Sequence, residues 1–354
     1  MSYIAKIYPS DRAANAALDR LLAAEGIRRD PHLDYSCGIY DDDGALLATG
    51  SCWKNTLRCF AVDAAHRGEA LLNTVITHLI DVQAERGNVS LFLYTKGDSA
   101  RFFRDLGFYE IARAEDDVVF MENHRQGFPS HLDRWRKETG QQPSPAGSDA
   151  ALISAIVMNA NPFTLGHQHL AEIAAARSAL LHIFLVSEDA SLVPFAVRKR
   201  LVAEGIRHLP NAVLHESGPY IISQATFPSY FQKDAASVVS GHARLDLAVF
   251  RRIAESLGIQ ARYVGEEPFS ETTDTYNGIM QEELPSAGIA CLVVPRLAVG
   301  DTLVSASHVR KLLQQSDVEA IRPFVPESTY EYFASEEAIP VLERIRQAAN
   351  VIHH

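Results

Sequence analysis

Ala151-Leu152-Ile153-Ser154-Ala155-Ile156-Val157-Met158 runs through Asn159-Ala160 into Asn161-Pro162-Phe163-Thr164-Leu165-Gly166-His167-Gln168-His169. The apolar run has the length of a buried strand. Asn161-Pro162 supplies a tight turn, and Thr164 is a natural N-cap for a helix that follows. A glycine and two histidines then stand at a helix N-terminus. Unpaired backbone N–H groups and the positive end of the helix dipole favour a phosphate there. An N-cap threonine with a surface histidine would explain the same letters more plainly. The preceding strand, the turn and a second phosphate-type segment downstream tip the balance towards phosphate.

Working outward, strand and helix patterns alternate from Ala151 onward. Strands are expected at 151–158, 180–186, 211–215, 261–264 and 289–294, mostly as continuous apolar runs. Helices are expected near 165–177, 195–208, 243–257, 272–283, 306–314 and 327–348. Such a pattern suits a parallel sheet covered on both faces, which binds ligands beyond the carboxyl ends of its strands. The earlier half reads as mixed α and β. Cys37–Tyr40 and Ala45–Trp53 flank Asp41-Asp42-Asp43-Gly44, a hairpin turn. Leu57–Val62 and Val89–Tyr94 follow as strands, with a helix over Glu69–Glu85, a short one over Ser99–Leu106, and a strand over Val118–Met121. Residues 1–34 look helical around Arg12–Ala24. Gln141-Gln142-Pro143-Ser144-Pro145-Ala146-Gly147-Ser148 reads as a linker, with Trp135 as its apolar exception.

The chain has 354 residues, enough for two domains, and 47% hydrophobic and 22% charged residues, an ordinary globular balance. A net charge of −11 argues against general nucleic-acid binding. The four cysteines lack paired spacing, so neither a zinc site nor a disulfide framework is expected. No apolar run approaches the ~20 residues that cross a bilayer. With no leader-like N-terminus, the expected location is the cytoplasm.

The second phosphate-type segment is Val304-Ser305-Ala306-Ser307-His308-Val309-Arg310-Lys311. Ser305 or Ser307 can cap a helix, and hydroxyls, N–H groups and Arg310 can bind a polyphosphate. Tyr263-Val264-Gly265-Glu266-Glu267-Pro268 ends a strand where an adenosine can lie. Within Arg198-Lys199-Arg200 one cation is expected to reach phosphate, and the other two to form a solvated face. The hydroxyl- and aromatic-rich stretch Ser217–Lys233, with its lysine, is a candidate substrate lid.

Thr164-x-Gly166-His167 resembles the Thr variant of the H-x-G-H motif of nucleotidyltransferases, and Val304–Arg310 resembles their I-S-x-S-x-x-R. Together with Gly218–Lys233, Arg262–Pro268 and Thr275-Tyr276-Asn277, these segments are similar to the citrate lyase ligase family over essentially the whole chain. The resemblance implies adenylation of acetate by ATP with Mg²⁺, release of diphosphate, and delivery of the acetyl group to the CoA-like thiol of the citrate lyase acyl-carrier subunit. The fold class it implies is α/β: an N-terminal GNAT-like mixed α+β domain (1–128), a linker (129–149), a Rossmann-like doubly wound parallel-sheet nucleotidyltransferase domain (150–326) and a C-terminal helix (327–354).

Thr164, His167 and Arg310 are the expected catalytic residues. Asn161, Phe163, Gly166, His169, Arg198, Lys233, Gly265, Glu266, Ser305 and Ser307 are expected at the nucleotide, with no protein metal cage. In the first domain, Arg67-Gly68-Glu69-Ala70-Leu71-Leu72 occupies the position of the GNAT pyrophosphate loop, so Arg67, Gly68 and Ala70 are expected at the CoA-like arm. Ala70 and Leu72 replace common glycines, which argues against tight CoA binding, and no convincing general base is evident, so docking of the arm is expected rather than independent acetylation. An adenylyltransferase for another small carboxylate or phosphate ester, and a non-catalytic CoA- or nucleotide-sensing module, are the competing readings.

Overall fold

The computed structural model describes residues 2–114, 118–140, 152–187, 191–221, 235–266 and 271–348, the side chains of 235–239 and 271–274 excepted. It divides into two compact units: residues 1–130 with 226–249, and residues 131–225 with 250–354.

In the first unit the described strands are β1 (Tyr3–Lys6), β2 (Tyr35–Tyr40), β3 (Leu46–Trp53), β4 (Thr56–Val62), β5 (Phe92–Lys96), β6 (Tyr109–Arg113) and β7 (Val118–Glu122). They form one sheet in the order β1-β2-β3-β4-β5-β7-β6. Helices α1 (Arg12–Ala24), α2 (Leu71–Glu85) and α3 (Gly97–Asp105) accompany it. Leu71, Val75, Ile76 and Leu79 of α2 are buried in a cluster with Ile39, Leu47 and Leu93, and Leu72 and Ile80 pack against it partly buried. Only β4 and β5 run parallel, and they pair only at Thr56↔Phe92 and Leu57↔Leu93. Just beyond, Cys59 takes a left-handed φ of 52° and the β3–β4 register slips, so the two strands splay. This is the mixed α+β arrangement expected of the first domain. Strands β1 and β6 were not expected; each lies at a sheet edge, and neither buries alternate residues.

The second unit holds β8 (Ile153–Met158), β9 (Leu180–Leu185), β10 (Ala212–Glu216), β11 (Ala261–Gly265) and β12 (Ala290–Val294). All are parallel, in the order β10-β9-β8-β11-β12. The order reverses between β8 and β11, and ligands of doubly wound sheets bind at such a switch point. Helix α5 (Leu165–Ala176) lies against β8, β9 and β11. Leu181, Ile183 and Leu185 join the main core cluster on one face of β9. The alternate residues His182 and Phe184 stack with His215, and Trp135 meets Phe184 from the opposite face.

Trp135 belongs to α4 (Gly127–Thr139), so residues 129–139 of the expected linker are helical. Trp135 is fully buried and donates to Glu216 O at 3.1 Å. The rest of the expected linker, 141–149, lies outside the described residues. Helices α6 (Phe195–Gly205), α7 (Ala235–Leu257), α8 (Glu271–Ser286) and α9 (Ala306–Gln314) follow. The loop after β12 contains a small hairpin, β13 (Ala298–Val299) with β14 (Thr302–Leu303). The single helix expected over 327–348 is two, α10 (Glu327–Ala334) and α11 (Ile339–Gln347), because Pro340 starts a new helix at its first turn. Their Tyr332, Phe333, Val341, Leu342 and Ile345 join the unit's core cluster. The four cysteines are free, and no described helix is long and apolar enough to cross a membrane.

Candidate active site

Thr164 caps α5 in extended conformation. Its hydroxyl accepts from the His167 N–H at 3.4 Å, while its own N–H donates to His167 Nδ1 at 3.1 Å. This is a capping box with histidine in the place usually taken by Glu or Gln. It explains the spacing of Thr and His, and it fixes the ring. With Nδ1 an acceptor, the neutral imidazole carries its proton on Nε2, ready to donate. Burial, and secondarily the charge of Arg296, push the His167 pKa down to about 4, so the ring is neutral at pH 7. Phe163 is fully buried and stacks on His167 with centroids 5.7 Å apart, backing the ring from the core side. His169 is half-buried and, two residues on, is turned about 200° around the helix from His167. It therefore does not share the face that Thr164 and His167 form.

Ser305 caps α9, accepting from the His308 N–H at 3.1 Å. Arg310, one turn on, donates to Ser307 Oγ at 3.1 Å and to Asn161 O at 2.6 Å. Burial lowers the Arg310 pKa, the mark of a partly desolvated guanidinium that gains from an anionic partner. Asn161 Oδ1 accepts from the Val193 N–H at 3.0 Å, which ties the turn to the loop before α6. The two motifs also meet at Gly166, where an added Cβ would stand 3.2 Å from Val304 O. Glycine is there because the two loops touch. The segments singled out in the sequence, 143 residues apart between His167 and Arg310, thus form one constellation beyond the carboxyl ends of β8 and β12.

Gly265 ends β11 at the same edge. Its carbonyl accepts from Asn277 Nδ2 at 3.1 Å, and among the described residues nothing lies within 4 Å of where a Cβ would stand. Exposed Glu266 donates its N–H to Val294 O. Arg198 has a different place from the one expected. It is fully buried and donates to Val193 O, Val186 O and both oxygens of Asn159, bracing the loop after β8 from below. Lys199 and Arg200 form surface ion pairs with Glu216 and Glu337, the solvated face foreseen for two of the three cations. Lys233 and Glu267-Pro268 lie outside the described residues, as does the expected lid beyond Ile221. Arg296, which the sequence reading passed over, donates to Glu266 O at 2.7 Å and to Val304 O at 3.4 Å. Its only sequence signal was its position just past a strand end.

In the first unit, a cavity of about 720 Å³ opens where β4 and β5 splay, lined among others by Cys59, Arg67, Gly68, Ala70, Leu72 and Phe102. Ala70 adopts a left-handed φ of 57° before α2, so the loop keeps its conformation without the usual glycine, at ~1–2 kcal/mol of strain. The first N–H groups of α2, from Leu71 to Asn73, have no partner within the helix. Arg67 is paired with Glu25 at 2.6 Å. Burial pushes the Cys59 thiol up to about 12, so it is no nucleophile.

The model of the citrate lyase ligase C-terminal domain matches residues 153–333. The chain is similar to the [citrate [pro-3S]-lyase] ligase of Escherichia coli (strain K12), with 37% identity over 87% of this chain and 85% of that one. It is likewise similar to that of Klebsiella pneumoniae, with 36% identity over 91% and 93%. Among solved structures, Escherichia coli ElaA and a GNAT-family acetyltransferase from Staphylococcus aureus Mu50 are each 15% identical, with TM-scores of 0.31. They cover 35% and 34% of this chain, and 100% and 98% of their own.

Proposed function

Because this chain belongs to the citrate lyase ligase family, a family of enzymes, we propose that it adenylates acetate with ATP and passes the acetyl group to the CoA-like thiol of a citrate lyase acyl-carrier subunit. The observation that carries this reading is the junction of the two motifs, through Arg310 on Asn161 O and Val304 O over Gly166, at the switch point of the sheet.

In the first step an acetate oxygen attacks the α-phosphorus as the bond to the bridging α–β oxygen breaks, and diphosphate leaves. Neutral His167 donates Nε2–H to a phosphate oxygen, Arg310 supplies positive charge, and the N-termini of α5 and α9 supply N–H groups. None of these groups needs to transfer a proton, so catalysis here is positioning and electrostatics. Adenosine lies at the open edge beside Gly265. The donors at this edge are N–H groups and guanidinium, which suit phosphate oxygens rather than a cation. Mg²⁺, where bound, is held by the triphosphate and neutralises its charge. In the second step the carrier thiolate attacks the acetyl carbonyl and AMP departs.

The cavity beside Arg67, Gly68 and Ala70 fits the CoA-like arm, whose diphosphate would meet the free N–H groups at the start of α2. Incubating the protein with ATP, acetate and holo-carrier should yield AMP and a carrier heavier by one acetyl group in the mass spectrum. AMP without acetylated carrier would refute the transfer step.

A further inference from the structure

Arg296 stands outside both motifs, yet it touches each side of the site. It is half-buried, two residues past β12. Its Nε donates to Glu266 O at 2.7 Å, the first residue beyond β11, and its Nη1 to Val304 O at 3.4 Å. Val304 O is the atom that limits Gly166, and Val304 directly precedes the Ser305 cap of α9. Val304 itself is buried, and its N–H donates to Leu297 O, closing the hairpin that Arg296 enters.

We propose that Arg296 is a positioning residue for adenylation: by bridging Glu266 O and Val304 O, it sets the spacing between the nucleoside edge at β11 and the phosphate end at α5 and α9. The inference rests on the assignment of Thr164, His167 and Arg310 to the phosphates. Two rims must hold opposite ends of one ATP, and a rigid bridge between them fixes where the α-phosphorus lies against the attacking oxygen. The β11 end is already anchored in the sheet, by Asn277 on Gly265 O and by the Glu266 N–H on Val294 O. A force on Glu266 therefore transmits to Val304 rather than being absorbed.

The residue type follows from the geometry. A guanidinium offers donors in a fixed planar fork and reaches two carbonyls at once, whereas an ammonium is a compact charge on a flexible stem. After burial, the same charge is the second cause that holds the His167 ring neutral as a donor. Arg296 thus serves the site twice, once through the backbone and once through the field.

The test is acetate-dependent ATP–diphosphate exchange by the full chain carrying Arg296→Lys, Arg296→Gln, His167→Ala, and each Arg296 change combined with His167→Ala. Displacing a reacting atom by about 1 Å can lower turnover ~100-fold, and both Arg296 variants are expected to fall by that order. Residues that act as a unit are strongly non-additive, so the double variants should lie within about threefold of His167→Ala alone. Wild-type turnover in Arg296→Lys, or losses that multiply in the double variants, would overturn the bridge and leave the phosphate assignment intact. Wild-type turnover in His167→Ala would instead overturn that assignment, and the proposal with it. Should Arg296→Gln fail to fold, the lysine variant carries the same comparison.

Discussion

Replacing Gly166 by alanine separates the folding role of the α5 N-terminus from its chemical one. An added Cβ would stand 3.2 Å from Val304 O, 3.5 Å from Thr164 Oγ1 and 3.6 Å from Val304 Cγ1. The last two distances are ordinary contacts. The first requires the Val304 carbonyl to retreat by a few tenths of an ångström. For stability the terms oppose: alanine in a helix gains ~1 kcal/mol over glycine, and mild overpacking costs about 1 kcal/mol or more. The melting temperature should therefore move by no more than about 4 °C. For catalysis nothing offsets the shift. Val304 leads straight into the Ser305 cap and the helix bearing Arg310, so its retreat moves the second half of the site away from the first. Turnover in acetate-dependent exchange should fall by ~10²-fold, with far-UV circular dichroism unchanged. A Gly166→Ala protein with normal turnover and normal folding would refute the claim that the approach of these loops positions the phosphates.

Trp135→Ala should cost the second unit ~3–5 kcal/mol, read by urea unfolding, because it empties a fully buried site and removes the shorter of the two hydrogen bonds to Glu216 O, leaving that from Arg134; a loss below 1 kcal/mol would contradict its placement. Stability should fall on acidification below the ordinary histidine pKa. Burial, above all, pushes His131, His167 and His215 down to about 4 and His182 to about 3. The unfolded chain therefore binds protons near pH 6.5 while the folded one refuses them until about pH 4. Fully buried His182 alone should account for about 2 kcal/mol lost between pH 7 and pH 5, and unfolding curves that coincide at the two pH values would contradict this. Arg67→Ala should slow acetyl transfer to the carrier while sparing exchange. Its side chain is 62% exposed and paired only at the surface, so folding should be unaffected. Equal loss in both assays would oppose an arm-docking role.

Much of this was legible in the sequence because the relevant forces are local. The strand–turn–cap series from Ile153 to His167 encodes its own hydrogen bonds, and Leu71 to Leu79 encodes its buried stripe. The junction of Gly166 with Val304 and of Asn161 with Arg310 could be foreseen only as two motifs in order, since contact across so long a stretch of chain is set by sheet topology. Arg296 gave no warning because the contacts that matter here, to Glu266 O and Val304 O, are to main-chain carbonyls, which any sequence supplies. Arg198 misled for the converse reason: an arginine on a helix beside two surface cations carries no sign that it points into the core, where four carbonyl-type oxygens surround it. The left-handed Ala70 is similar. Sequence favours glycine there, yet the surrounding fold holds alanine in place.

In the proposed function, the α5–α9 junction activates acetate at the α-phosphorus of ATP. The most direct measurement is the incorporation of labelled diphosphate into ATP by the isolated protein, without carrier, with and without acetate. The account predicts exchange that requires acetate, proceeds without carrier, and falls by orders of magnitude in His167→Ala, where one preorganised donor worth ~3 kcal/mol is lost. Exchange that ignores acetate, or that survives the loss of His167, would contradict it.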